Sequence, residues 1–319
     1  MKKAKPILVT GGAGFIGSHL VERLLNDGQS IVVIDDLSTG SLENLRAVKK
    51  NPRLKIVRSK ISQCKELPRL AANAEFIFHL AATVGVELVV KSALKVLESS
   101  FHETEILLRA AEKKSTPLLL ASTSEVYGKS TKAEFSEDDD LLIGPPSHSR
   151  WSYASAKLTD EFLVLACARE KKLPVIIARL FNTVGPRQTG RYGMVLPRFI
   201  AAAKKNAPLK VFGDGKQTRC FCLVTDAVES LVRLRNCAKA RGEIFNVGGT
   251  EEITILDLAK LVVKTLGSKS KIQLIPYDKA YAPGFDDMRR RKPLVEKLER
   301  FVKFKPPTPL REIIRLTAQ

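Results

Sequence analysis

Residues 7 to 26 constrain the chain more than any other stretch. A β-branched run, Ile7-Leu8-Val9-Thr10, passes directly into Gly11-Gly12-Ala13-Gly14-Phe15-Ile16-Gly17, and a helical pattern from Phe15 to Asn26 follows, stopped by Asp27-Gly28. A strand that turns at once into a helix needs a crossover to a parallel neighbour, which points to an α/β layer structure. The glycines suit a phosphate-binding turn. Gly12 and Gly14 would let the backbone approach a pyrophosphate, Gly17 would let helix and strand pack closely, and the helix start offers amide donors and a positive dipole end. G-x-G-x-x-G alone is a weak signal, but here it sits between a strand and a helix. Asp35 ends the second strand 18 residues after Gly17. There a carboxylate can accept hydrogen bonds from adenosine ribose hydroxyls and would repel a 2′-phosphate, so the pattern predicts NAD rather than NADP.

The alternation continues to about residue 180. Short apolar runs at Ser30–Asp35, Lys55–Arg58, Glu75–Leu80, Pro117–Ser122 and Val175–Leu180 are separated by helical stretches, notably Lys91–Lys114 and Ser152–Lys172. Near-continuous apolar strands between helices predict a Rossmann-type doubly wound parallel sheet covered on both faces. After Gly185-Pro186 the pattern loosens. Helices are expected at Val195–Lys205, Asp226–Ala238, Thr254–Leu266, Pro293–Val302 and Pro309–Leu316, with strands at Leu209–Phe212, Glu243–Gly248 and Lys271–Pro276. The expected plan is a dinucleotide-binding domain over 1–185, to which 225–267 partly return, and a smaller, discontinuous C-terminal substrate domain from 186–224 and 268–319.

The longest apolar runs, such as Phe76 to Val86, are too short for a membrane span. Met1-Lys2-Lys3-Ala4-Lys5-Pro6 leads into the first strand without an apolar signal segment, so the cytoplasm is the expected compartment. Five cysteines without a C-x-x-C pair and four scattered histidines argue against a disulfide framework or a metal site. Lys and Arg number 53 against 34 Asp and Glu, a net charge of +19. The excess is spread along the chain apart from Arg289-Arg290-Arg291-Lys292, and it reads as a solvated basic surface rather than a nucleic-acid footprint.

Chemistry concentrates in two segments. The fifth strand delivers Ser122-Thr123-Ser124-Glu125-Val126-Tyr127-Gly128, and Tyr153-Ala154-Ser155-Ala156-Lys157 follows 28 residues after Glu125. Tyr153 and Lys157 stand one helical turn apart on one face. A phenol is a poor base at neutral pH, but an adjacent ammonium and a positive nicotinamide ring both favour phenolate, which suits Tyr153 to alcohol oxidation.

Eight ordered motifs carry a resemblance over nearly the whole chain. They are Thr10–Leu20, Asp35–Gly40, Phe78–Ala82, Ser122–Gly128, Tyr153–Lys157, Phe181–Arg187 (F-N-T-V-G-P-R), Gly213–Arg219 (G-D-G-K-Q-T-R) and Phe245–Gly248 (F-N-V-G). The chain resembles the extended short-chain dehydrogenase/reductases of the NAD-dependent epimerase/dehydratase family, which act on nucleotide sugars. The resemblance implies that Gly11, Gly14, Phe15, Ile16 and Gly17 hold the pyrophosphate. It assigns Asp35, Asp36, Ser38, Thr39 and Gly40 to the adenosine side, and Leu80, Ala81 and Ala82 to the cofactor as well. Thr123 would orient the sugar 4-hydroxyl beside Ser124, Tyr153 would be the base, and Lys157 would hold the nicotinamide ribose. Asn182 would meet the substrate diphosphate, Arg219 would neutralise it, and Val211 with Phe212 would border the nucleotide base.

Members begin alike, with oxidation at sugar carbon 4. Simple epimerases resemble S-S-x-x-V-Y-G at the catalytic strand and dehydratases T-D-E, whereas Thr123-Ser124-Glu125 resembles the UDP-glucuronate decarboxylases. So do Gly144-Pro145 with Arg150-Trp151-Ser152-Tyr153, and Arg291-Lys292-Pro293. That likeness would put Arg291 beside the sugar carboxylate, with Glu125 positioning water or Arg291. A 4-epimerase or 4,6-dehydratase is the rival reading, and a degenerate member binding RNA or a membrane surface is a rival of another class. Two positions depart from the relatives. Lys60 stands where they carry an adenine-binding Asp, and Ser100 where they carry an Asn that steadies the active-site floor. The resemblance also implies a homodimer built on the helices at Lys91–Lys114 and Ser152–Lys172, with Leu163 as its test position.

Overall fold

The computed structural model describes residues 4–82, 92–190, 194–276 and 288–319. The first strands are β1 (Ile7–Thr10), β2 (Ile31–Asp35), β3 (Leu54–Arg58), β4 (Phe76–His79), β5 (Leu118–Thr123) and β6 (Val175–Leu180). The short strands β7 (Thr183–Val184), β8 (Leu209–Phe212), β9 (Thr218–Cys220) and β10 (Cys222–Leu223) follow before β11 (Ile244–Val247), β12 (Glu252–Thr254) and β13 (Ile272–Ile275). Seven of them form one parallel sheet in the order β11-β6-β5-β4-β1-β2-β3, as the α/β alternation predicts. The order reverses between β1 and β4, and the loops that leave the carboxyl ends of these two strands carry the first and third motifs.

Pleating divides the strand side chains between two cores. Val9, Val33 and Phe78 lie under α1 (Phe15–Asn26), while Leu8, Ile34 and Ile77 lie in the core on the opposite face. That second core takes Leu67 and Leu70 from α2 (Leu67–Asn73), Leu107 and Leu108 from α3 (Ala93–Glu112), and Val164 from α4 (Trp151–Lys171). Each fully buried Leu, Val or Phe contributes roughly 1.5–3 kcal/mol. A third core joins α5 (Val195–Lys204), β8, and two later helices. Between α5 and these lies α6 (Val224–Asn236), which packs Leu231 and Leu234 beside α1 in the first core. The later helices of the third core are α7 (Ile255–Leu266) and, beyond α8 (Glu296–Val302), α9 (Leu310–Thr317). Thr254 starts α7 as expected: its hydroxyl accepts from the Asp257 amide at 3.0 Å, and Gly267 ends the helix in the left-handed region.

Boundaries shift where tertiary contacts intervene. Helix α3 begins at Ala93, and Lys91, the expected start, lies outside the described residues, as do residues 83–86 of the Phe76–Val86 run. Helix α6 starts at Val224 rather than Asp226, directly from β10. Helix α8 starts at Glu296 rather than Pro293, because Phe135 donates its amide to Lys292 O and accepts from Leu294 N, holding residues 292–294 extended. Among the described residues no helix is long and apolar enough to cross a membrane.

Candidate active site

The glycine turn is dictated sterically. Gly11 has φ +73°, and a Cβ there would lie 2.7 Å from the Ala81 amide; a Cβ on Gly17 would lie 2.1 Å from Gly11 O. Gly12 is required sterically as well. Its missing side chain faces Val33, 2.7 Å from Cγ2, so this glycine packs the turn onto β2. Gly14 is the open position, with Gly11 O alone near a notional Cβ. Asp35 shapes the adenosine side: Oδ2 accepts from the Ala13 amide at 2.9 Å and Oδ1 from the Leu37 amide at 2.8 Å. Burial pushes its carboxyl up, and the two amides oppose that shift. Each oxygen keeps a further lone pair for a hydroxyl. Asp36 accepts from the Ser38 amide at 2.9 Å. Ser41 and Asn44 both donate to Ala13 O, folding Thr39 and Gly40 back toward the turn. Leu80 and Ala81 are tied to Thr10 and remain half-exposed with Ala82. An open Gly14, a carboxylate with spare acceptors and an apolar wall fit a dinucleotide.

The second cluster lies at the carboxyl end of β5. Thr123 caps the 3₁₀ turn Ser124–Tyr127, its hydroxyl accepting from the Glu125 amide at 3.2 Å. Tyr153 is half-buried on α4 beside Thr123. Burial and the Glu125 charge push its phenol well above the ordinary value, while the Thr123 hydroxyl and Arg291 oppose them. Lys157, one turn on, is buried and donates to Asp160 Oδ2 at 3.0 Å. Glu125 is ion-paired with Arg291 and, at 3.2 Å, with Arg150. Burial alone would raise its carboxyl, but the two guanidinium charges prevail and hold it at about 2, so Glu125 is a fixed anion at neutral pH. Arg291 also donates to Asn182 Oδ1 at 2.6 Å, and Asn182 Nδ2 donates to Cys220 O at 2.7 Å. Thr123, Glu125, Tyr153, Asn182 and Arg291, scattered over 169 residues of sequence, thus meet at one end of the sheet.

The structure also places Val211 and Arg219, two further expected substrate residues, and the Arg219 charge helps to lower Glu125. Val211 is fully buried in the third core, so its side chain packs against protein; Phe212, on the other face of β8, is the partly exposed neighbour. Arg219 is buried and donates to the Thr218 and Met288 carbonyls at 2.8 Å. Sequence reasoning missed Arg150 and Asp160 as site residues. Arg150 was visible in the Arg150-Trp151 motif, whereas Asp160 had no signal beyond its place one turn after Lys157. Ser100, read as a lost floor residue, donates to Asp160 Oδ2 at 2.7 Å. Lys60, the other departure, is exposed. Beneath the site His79 bridges Thr10 (2.8 Å) and Thr104 (3.1 Å); burial and the Lys157 charge push it down to about 3, leaving a neutral imidazole.

A sheet of this order, a glycine turn at its switch point with the Asp35 partner, and a Tyr153/Lys157 pair beside the carboxyl end of β5 define an NAD-dependent enzyme of the short-chain dehydrogenase/reductase kind. The chain belongs to the NAD dependent epimerase/dehydratase family, whose model matches residues 7–248. It is 42% identical over 303 residues to a UDP-N-acetyl-alpha-D-glucosaminuronate decarboxylase of Bacillus cytotoxicus, covering 95% of this chain and 93% of that one. It is 34% identical over 321 residues to UDP-glucuronic acid decarboxylase 4 of Arabidopsis thaliana, covering 98% and 67%. Among solved structures it is similar to a UDP-glucuronic acid 4-epimerase from Bacillus cereus in complex with UDP-glucuronic acid and NAD, at a TM-score of 0.87 and 30% identity over 98% of both chains.

Proposed function

We propose that the chain decarboxylates a UDP-linked uronic acid through a 4-keto intermediate. The observation that carries this reading is the Glu125–Arg291–Asn182 cluster, which sets a guanidinium fork beside the Thr123/Tyr153 pair. Bound NAD⁺ supplies the hydride acceptor for sugar carbon 4. Tyr153 takes the 4-hydroxyl proton, Thr123 orients that hydroxyl, and Lys157 holds the ribose and favours the phenolate. The 4-keto-uronate is a β-keto acid. Its carboxylate carbon–carbon bond breaks, carbon dioxide leaves, the electron pair passes to the 4-keto oxygen as an enolate, and a proton is added at carbon 5; carbon 4 would then take back the hydride and its oxygen the Tyr153 proton, leaving the cofactor oxidised. In this reading Arg291 pairs with the carboxylate beforehand and supplies the carbon 5 proton, while Glu125 fixes Arg291.

In this reading residues 1–185, with part of 225–267, hold NAD through Gly11, Gly14, Phe15, Ile16, Gly17, Asp35 and Leu80–Ala82. Residues 186–224 and 268–319 receive the nucleotide sugar, and α8 of the latter packs Leu298 into the first core. Two relatives support a UDP-linked uronic acid as substrate, one being named for a 2-acetamido uronate and the other for a plain glucuronate. Mass spectrometry of products from UDP-glucuronate and UDP-N-acetylglucosaminuronate decides. Loss of one carbon dioxide from either supports decarboxylation, and an isomer of unchanged mass from either moves the assignment to the epimerase.

The same reading includes a homodimer formed by α3 and α4. Leu94 (69% exposed), Phe101 and Phe162 (63%) are uncovered apolar side chains on these helices. Leu163 is a correction to the expected test position, since it packs against the second core; Phe162 takes its place. Light scattering of Phe162→Glu should give monomers, and a dimer of wild-type mass would overturn the assignment. Five free thiols, including Cys64 and Cys220, support a reducing compartment such as the cytoplasm.

A further inference from the structure

Asp160 has no part in the chemistry described so far, yet it is the acidic group bound to the lysine of the site. It is 0% exposed. Oδ2 accepts from both Lys157 Nζ and Ser100 Oγ, while Oδ1 has no hydrogen-bond partner among the described residues. A carboxylate sealed from water with one oxygen unsatisfied is costly, and a purely structural ion pair would complete its shell. We propose that Asp160 is a positioning residue that acts through Lys157 to set the pH at which Tyr153 becomes a base, with Ser100 moderating its charge.

The groups around Tyr153 give the direction. Its own helix α4 supplies Lys157, Asp160 and, at the N-terminal end, Arg150. The turn after β5 supplies Glu125 and the C-terminal segment Arg291, while the neutral His79 of β4 faces Lys157 and Asp160. The Lys157 ammonium alone would favour phenolate, and the buried Asp160 carboxylate cancels much of that field at short range. Asp160 also raises the Tyr153 phenol in its own right. The Ser100 hydroxyl points a donor at the same carboxylate and weakens its negative potential. Removing the two partners should therefore move Tyr153 in opposite directions.

This inference rests on the assignment of Tyr153 as the base but not on the identity of the sugar, so its test uses none. The NAD⁺-loaded chain is titrated by ultraviolet difference absorbance against Tyr153→Phe, which isolates the ionisation of this phenol from the other tyrosines. Asp160→Asn should lower the midpoint by about one pH unit, and Asp160→Ala, with the same charge loss and a different shape, should lower it similarly. Ser100→Ala, a mild change at a half-buried position, should raise the midpoint. Unmoved midpoints in folded Asp160 variants, or a fall in Ser100→Ala, would overturn the proposal. If neither Asp160 variant folds, the sign of the Ser100→Ala shift decides alone. Failure of both uronates as substrates, with these shifts intact, would refute the decarboxylase reading and leave this one standing.

Discussion

Asp160 and Glu161 are consecutive residues of α4, both buried and both paired with a cation, yet their surroundings differ in kind. Glu161 grips Arg179 through both oxygens, with Nη2 at 2.8 Å, and also accepts from Ser122. Arg179 goes on to Tyr127 OH at 3.0 Å and Glu137 O at 3.1 Å, and Tyr127 donates to Asn246 Oδ1 at 2.7 Å. That network is closed, and it welds α4 to β5, β6 and β11. Asp160 faces the other way, toward α3, with an unfilled acceptor and a lysine that has donors to spare. Satisfaction separates the two: a completed buried network holds the fold, and an incomplete one is available to chemistry.

The comparison is sharpened most by Tyr153→Phe. It should cut turnover about 10²- to 10⁴-fold, as loss of a general base does, while the melting temperature stays put. Arg179→Met should do the reverse. Stranding Glu161 should cost about 3–5 kcal/mol of stability, seen in denaturant unfolding, with activity per folded molecule retained. Comparable activity loss in the folded fraction of Arg179→Met would break the division. Glu125→Gln is intermediate. It loosens Arg291 and should lower kcat/KM about 10- to 100-fold, the worth of a charged hydrogen bond, in steady-state assays.

Acid unfolding separates two further buried groups. His79 has a folded pKa of about 3 against 6.5 unfolded, so its contribution is complete above pH 6.5 and is lost as pH falls below it. Glu125, at about 2 against 4.5, also stabilises above its unfolded value and is lost as pH falls from 4.5 toward 2. Stability measured by urea titration should therefore decline in two stages. His79→Gln should flatten the first stage and Glu125→Gln the second.

Much of the first half was legible because local and global signals agree there. β1, α1 and β6 end where the apolar runs at Ile7–Thr10 and Val175–Leu180 and the Asp27-Gly28 stop say they should. β7, β9, β10 and β12 escaped notice: two or three residues carry no period, and their pairing depends on partners brought in by the fold, as Thr218 meets Thr254. At the site, Tyr153 and Lys157 were readable from one turn of helix. The Glu125–Arg150–Arg291 cluster needed Arg291, 166 residues from Glu125, to be carried back by the extended stretch against Phe135. Val211 was misplaced because a two-residue period does not say which face of an isolated strand is covered.

The segment Phe181–Arg187 has one end in each half of the molecule. Asn182 receives Arg291 and binds Cys220 O, while five residues on Arg187 clamps Glu22 at 2.7 Å and Ser18 at 3.2 Å, and His19 contacts Pro186 O at 3.0 Å. The helix that begins at the dinucleotide turn and the residue that holds the guanidinium fork are therefore bolted to the same seven-residue strut. A displacement of either end is therefore carried to the other, so loosening Arg187 from Glu22 would shift the guanidinium fork as well as the dinucleotide turn.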